Sequence, residues 1–110
     1  MTVGEWLSAR TPAPPAALRV RLEAQLGDAL ALDVREAPTR FLAAGERLVA
    51  TLLASGSTSR DSALDLLAAD ALVTYAFEAA SDAPADLTER AAEAMVRIAA
   101  LAAVRPDAPA

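Results

Sequence analysis

Histidine, cysteine, lysine and asparagine are all missing from this chain of 110 residues. Without cysteine there is no disulfide framework, no thiolate nucleophile and no cysteine metal site. Without histidine the commonest metal ligand and general acid/base is gone as well. The serine and threonine hydroxyls have no His, Cys or Lys to activate them, so catalysis would have to rest on carboxylates, Arg and Tyr alone. Glycine is scarce, and the turn Ser55-Gly56-Ser57 has one glycine and no lysine after it, which excludes a phosphate-binding loop. Charge-free apolar runs long enough to span a membrane are lacking. The start, MTVGEWLSAR, lacks the basic region and apolar run of a signal peptide. Absence of Lys and Asn beside abundant Ala and Arg matches GC-rich bacterial coding, and the cytoplasm is the expected location.

Positive charge is also short. Ten arginines face fifteen acidic residues, giving a net charge of −5. The arginines are scattered and form no stripe that would neutralise phosphates, so nucleic acid is excluded as a partner. The polar faces of the helices are acidic or mixed, which excludes a basic membrane-surface helix.

What is present is apolar and small. The 55% apolar fraction is carried largely by alanine, and burying a methyl yields about 0.8 kcal/mol against roughly 1.5 to 3 for Leu or Phe. Alanine compensates by losing no side-chain entropy and by letting helix axes approach towards the short end of the roughly 8 to 10 Å range. The fold expected is all-α: a small bundle of about four main helices with a short N-terminal helical arm and a Pro-rich spacer. Residues 1–14 form the arm and spacer, 15–105 a single helical-bundle domain, and 106–110 a frayed tail.

Thr2 and Glu5 have the capping-box spacing, with Val3, Trp6 and Leu7 on one face of a short helix. The spacer Thr11-Pro12-Ala13-Pro14-Pro15 favours an extended conformation that holds the arm away from the next helix. Trp6 then either packs on its own bundle or inserts into a partner. A helix from Pro15 to Gly27 carries Leu18, Leu22 and Leu26, with Arg19 and Glu23 paired at i, i+4. Residues 28–37 are helical or irregular, with Gly27 a stop or a kink and a break just before Pro38. The helix from Pro38 to Ser55 bears the seam Phe41, Gly45, Leu48 and Leu52. Gly45 costs about 1 kcal/mol relative to Ala there, which marks a close crossing by another helix. A last helix, Ala85 to Val104, is expected to bury Leu87, Ala91, Ala94, Ile98 and Leu101.

The segment from Ser59 to Ser81 is the expected core helix, because between Ala63 and Ala80 only Asp65, Asp70, Thr74 and Glu78 interrupt the apolar residues. Its periodicity leaves no face polar, so neighbours should cover several sides. Asp70 is the odd residue. An unpaired buried carboxylate is costly, and Arg47 or Arg40 of the preceding helix lies level with it. Otherwise Asp70, Thr74, Tyr75 and Glu78 line a cavity or an oligomer interface. These six residues are the candidate buried polar or ligand site, and Trp6 is the candidate partner contact.

Carboxylates four apart recur as Asp61/Asp65, Asp82/Asp86 and Glu89/Glu93, a spacing that can hold Mg²⁺ with waters. A metal site needs carboxylates converging from separate helices, and the di-iron type also needs Glu-x-x-His pairs. The pairs read as helix-start acids favoured by the dipole and as solvated faces. No metal and no cofactor is expected. The functional expectation is a non-enzymatic interaction protein working by helix packing, as a homodimer or with another protein. Its basis is the light core, the nearly all-round apolar helix and the detachable Trp arm. The alternative is a small-molecule or divalent-metal binding domain, with or without catalysis, using carboxylates with Arg40, Arg47 and Tyr75.

Overall fold

A computed structural model describes residues 1–82 and 84–103, apart from the side chains of residues 84–87, 90, 102 and 103. The described chain is all-α: α1 (Val3–Ser8), α2 (Ala16–Leu26), α3 (Ala37–Ser55), α4 (Arg60–Asp82) and α5 (Pro84–Ala103), with two 3-10 turns, Gly27–Ala31 and Val34–Glu36, between α2 and α3.

Local chemistry sets most of these boundaries. Thr2 Oγ1 accepts from the Glu5 amide at 3.1 Å and Glu5 Oε1 accepts from the Thr2 amide at 2.7 Å, the reciprocal box that starts α1. Gly27 ends α2 with φ of 51°, and Gly56 ends α3 in the left-handed region with φ of 60°, conformations that a Cβ would strain. Ser59 Oγ accepts from the Ser62 amide at 3.1 Å and caps α4. Arg19 and Glu23 form the expected pair, Nε to Oε1 at 2.6 Å.

The stretch 28–37 is resolved in an unexpected way. Leu30, Leu32 and Val34 alternate along this stretch as in a strand, and its backbone pairs with the N-terminus. Val3 N donates to Leu32 O at 2.8 Å and Val34 N to Met1 O at 2.9 Å, an isolated antiparallel bridge between Thr2 and Asp33. This bridge and the burial of Val3, Trp6 and Leu7 tie the arm into the core, so it is not held away by the spacer. Arg19 Nη2 also reaches across to Ser8 Oγ at 2.9 Å.

α3 and α4 form the principal helix pair. Their faces are made of small residues, Ala37, Ala44 and Gly45 against Ala68, Ala69 and Ala76, with Phe41, Leu48 and Leu72 as the large members. Gly45 sits at a close approach of the two helices: a Cβ there would meet Val73 Cγ2 at 3.0 Å and the Ala69 carbonyl and Leu72 Cβ at 3.4 Å. The close crossing expected at this glycine is therefore present.

Two expectations about burial fail. α4 is not covered on several sides: it buries Ala68, Ala69, Leu72, Ala76 and Ala79, while Leu66, Leu67 and Phe77 remain 60%, 58% and 68% exposed. The seam foreseen on α5 is not buried either, with Ala91, Met95, Ile98 and Leu101 exposed and Ala94 half-buried; Leu87 and Val104 lie outside the described residues. α5 makes little contact with α4, and Arg35 Nη2 lies 3.9 Å from Glu89 Oε2 near its start. The radius of gyration, 17.7 Å, exceeds the roughly 13 Å of a compact domain of this length, and the long axis reaches 60 Å. Replacing Gly45 by Leu is expected to force the α3/α4 crossing apart and lower the unfolding free energy by about 1 to 3 kcal/mol. Gly45→Ala should cost less, because a helix gain of up to about 1 kcal/mol offsets the small displacement of Val73. Urea denaturation of the two variants measures both.

Candidate functional site

The six polar candidates and Trp6 are distributed over three places. The first is an aromatic cluster where α1 meets α3 and α4. Trp6 is only 4% exposed; its ring centroid lies 5.3 Å from Phe41 and 5.9 Å from Tyr75, the latter edge-on at 82°. Phe41 and Tyr75 close the triangle at 6.1 Å. Trp6 Nε1 donates to Asp82 Oδ2 at 2.8 Å, and the Arg10 guanidinium covers the indole face at 3.7 Å from its centroid. Of the two readings of Trp6, packing on its own bundle is the one found and insertion into a partner is not, with the Thr2–Asp33 bridge drawing α1 inward.

Around this cluster Arg10, Thr74, Phe77, Glu78, Ser81 and Asp82 line a shallow groove of about 450 Å³. Arg10 Nη1 is 3.7 Å from Asp82 Oδ2 and 3.8 Å from Glu78 Oε2, and Arg10 Nε donates to the Trp6 carbonyl at 3.2 Å. One cation therefore faces two carboxylates and an aromatic ring. Its exposed ion pairs are individually weak. Burial, with the Glu78 carboxylate second, pushes the Tyr75 phenol above its ordinary value, against the lowering pull of Arg10 and Arg19.

Arg40 and Arg47 are elsewhere, lining a second groove of about 380 Å³ with Leu26, Asp28, Ala29 and Leu32. Arg40 Nε lies 4.0 Å from Glu36 Oε2, and Arg47 Nη2 donates to the Gln25 carbonyl at 3.2 Å. Asp70 stands apart from both grooves on the exposed face of α4. Its expected burial and its pairing with Arg47 or Arg40 do not occur, because the buried stripe of α4 falls on the alanines and turns position 70 outward.

The carboxylate pair Asp61/Asp65 is taken up by Arg21, whose Nη2 donates to Asp61 Oδ1 at 3.1 Å and whose Nη1 donates to Asp65. The hydrogen bond to Asp65 raises the Arg21 guanidinium further above its already high value. Asp82 serves Trp6 and Arg10, Asp86 has no described side chain, and Glu89 faces Arg35. Among the described residues no group of three or more carboxylates is placed to hold a metal ion. No helix among them is long and apolar enough to cross a membrane. Two participants escaped sequence reasoning: Arg10, whose i, i+4 spacing from Trp6 is a detectable signal for ring stacking, and Asp82, which is 76 residues from Trp6 and carries none. Comparisons with protein-family models, with curated proteins and with solved structures yield no match to this chain.

Hydrogen bonds from the Thr2 amide and side chain hold the Glu5 carboxyl below its ordinary value near 4.5. The stabilising effect of the box is complete above that value and fades as pH falls through the lowered value of the folded arm. Acidification below about 4.5 should loosen α1 and red-shift Trp6 emission, and Glu5→Gln, which keeps a hydrogen-bonding group at the same helix position, should shift that transition. An acid transition unmoved by the substitution would place its origin elsewhere. At the alkaline end the sign is reversed, since the raised Tyr75 value confers stability below its ordinary value of 10.0 that is lost as pH rises through the folded value. Tyr75→Phe is expected to remove that part of the alkaline destabilisation, measured by thermal melts across pH 8 to 12.

Proposed function

We propose that the chain is a non-enzymatic interaction protein that acts through helix packing, as a homodimer. The observation that carries this reading is the orientation of α4, which buries alanines and turns Leu66, Leu67 and Phe77 to the outside. Scattered surface leucines are ordinary. A helix that hides its small residues and exposes its large ones has a second packing surface, and patches of this kind mark association sites.

α5 adds independent support. It is 20 residues long, about 30 Å, and Met95, Ile98 and Leu101 are 64%, 59% and 68% exposed. An isolated amphipathic helix of that length is marginal in water and gains its stability from packing its apolar face. The Trp6 arm no longer supports the reading, since it is occupied within its own chain.

The alternative, a small-molecule or divalent-metal domain, has less beneath it. Its residues fall in three separate places, and its best carboxylate pair is neutralised by Arg21. Sedimentation velocity from micromolar to several hundred micromolar chain is expected to give a species of twice the chain's mass. Thermal melts with Mg²⁺, Mn²⁺ or nucleoside triphosphates should not shift, whereas a ligand at 100 times its dissociation constant would add about 2.7 kcal/mol. A persistent monomer that any of these ligands stabilises would transfer support to the alternative.

A further inference from the structure

We infer that the dimer is built by helix exchange: α5 of each copy lies on the exposed apolar face of the partner copy's α3/α4 pair. This rests on the dimeric reading above and specifies which surfaces meet.

The receiving face is set by the α3/α4 crossing. Gly45 faces Val73 and the adjoining turn of α4. At about 100° per residue, Leu42 and Val49 occupy the strip of α3 next to Gly45, continued by Leu53. Leu66 and Phe77 occupy the strip of α4 next to Val73. All five are exposed and border one side of the same seam, with Phe77 also at the rim of the groove beside Arg10. The charged residues beside these strips, Glu46 on α3 and Asp70 on α4, are both acidic and exposed.

The inserted element has matching length, periodicity and charge. Ala91, Ala94, Ile98 and Leu101 repeat at three-four-three spacing, the seam of a packed helix. They extend over about 15 Å, against about 16 Å from Leu66 to Phe77. The exposed charges of α5 are mixed, Glu93 with Arg97 one turn on, and Arg97, one position before Ile98, is the one placed to meet the acidic rim of the receiving face. Pairing face with face would align the acidic rims, Glu46 and Asp70 of one copy with those of the other. The crossed arrangement brings Arg97 to the acidic rim of Glu46 and Asp70.

The occupant is a second copy because the chain's own α5 is badly placed to turn back. One residue separates the end of α4 at Asp82 from the start of α5 at Pro84, whereas antiparallel helical hairpins use about two to five. Reciprocal exchange satisfies two-fold symmetry with both contacts made twice. The eight exposed side chains, five on the face and three on α5, would contribute about 600 Å² per copy at the area implied by ordinary side-chain burial. Doubled, this reaches the lower end of stable interfaces, about 1,200 Å². Alanine and backbone contacts add to it.

Complementation between full-length variants tests the arrangement. One variant carries Ile98→Glu and Leu101→Glu, with an intact face; the other carries Leu66→Glu and Phe77→Glu, with an intact α5. Trp6 emission and helicity serve as controls that each is folded. The wild type is expected to dimerise, each variant alone should have its dimer dissociation constant raised at least ~100-fold, and an equimolar mixture should form heterodimers through the one remaining productive contact. A face variant that still dimerises alone would indicate α5 pairing with α5. An α5 variant that still dimerises alone would indicate face pairing with face. A mixture that associates no more strongly than the separate variants, compared at concentrations where each begins to self-associate, would likewise overturn the exchange while leaving a dimeric wild type intact. A wild type that stays monomeric at all concentrations would remove the dimeric reading itself.

Discussion

The contact between Gly45 and the turn of α4 around Val73 is the constraint on which the architecture depends. Two helices can approach this closely only if neither places a large side chain between them. The facing surfaces are accordingly filled by alanines, with Phe41, Leu48 and Leu72 at intervals. Once those small faces are turned inward, geometry fixes the rest of α4. Leu66, Leu67 and Phe77 then fall outside the arc of α4 that α1, α2 and α3 cover, since residues at 3.6 per turn spread round the whole helix. Exposure of Leu66, Leu67 and Phe77 is thus the consequence of how the core is closed.

The other half of the core is closed by the N-terminus. α1 has six residues, too few to be stable alone, yet it supplies Val3, Trp6 and Leu7, all buried. Its position is fixed from three directions: the bridge to Asp33, the stacking on Phe41 and Tyr75, and the indole hydrogen bond to Asp82. Arg10 completes the arrangement by covering the outer face of the indole and facing the carboxylates of Glu78 and Asp82. A cation placed between two acids and a ring is a structural fastening.

Much of the fold was legible in the sequence, since capping boxes, glycine stops and three-four spacings act over a few residues. The Thr2/Glu5 box, the ends at Gly27 and Gly56, the α3 seam and the close approach at Gly45 all belong to this class. Burial was less legible. Periodicity shows that α4 is apolar on several sides, but it carries no information on which apolar side meets α3, and the alanines were the less conspicuous set. Asp70 was misassigned for that reason: a half-turn error in the orientation of one helix moves a residue from the interior to the surface. The ladder contact between Thr2 and Asp33 and the Trp6–Asp82 bond were illegible because they join segments far apart in sequence. What the candidate site was expected to gather, Arg40, Arg47 and the acids of α4, is separated by the same rotation of α4.

The bond between Trp6 and Asp82 has a kinetic side. It joins residues 76 apart, so it encloses α2, α3 and nearly all of α4 in one loop, and closing a loop of that size carries an entropy cost that local helical contacts do not. Helical proteins fold fast when their contacts are local, and distant contacts slow them. The bridge to Asp33 gives the arm one docking site nearer in sequence, while the ring stacking and the indole hydrogen bond need α3 and α4 in place. The indole is therefore the closing piece of a ring whose other members, α3 and α4, meet through contacts nearer in sequence.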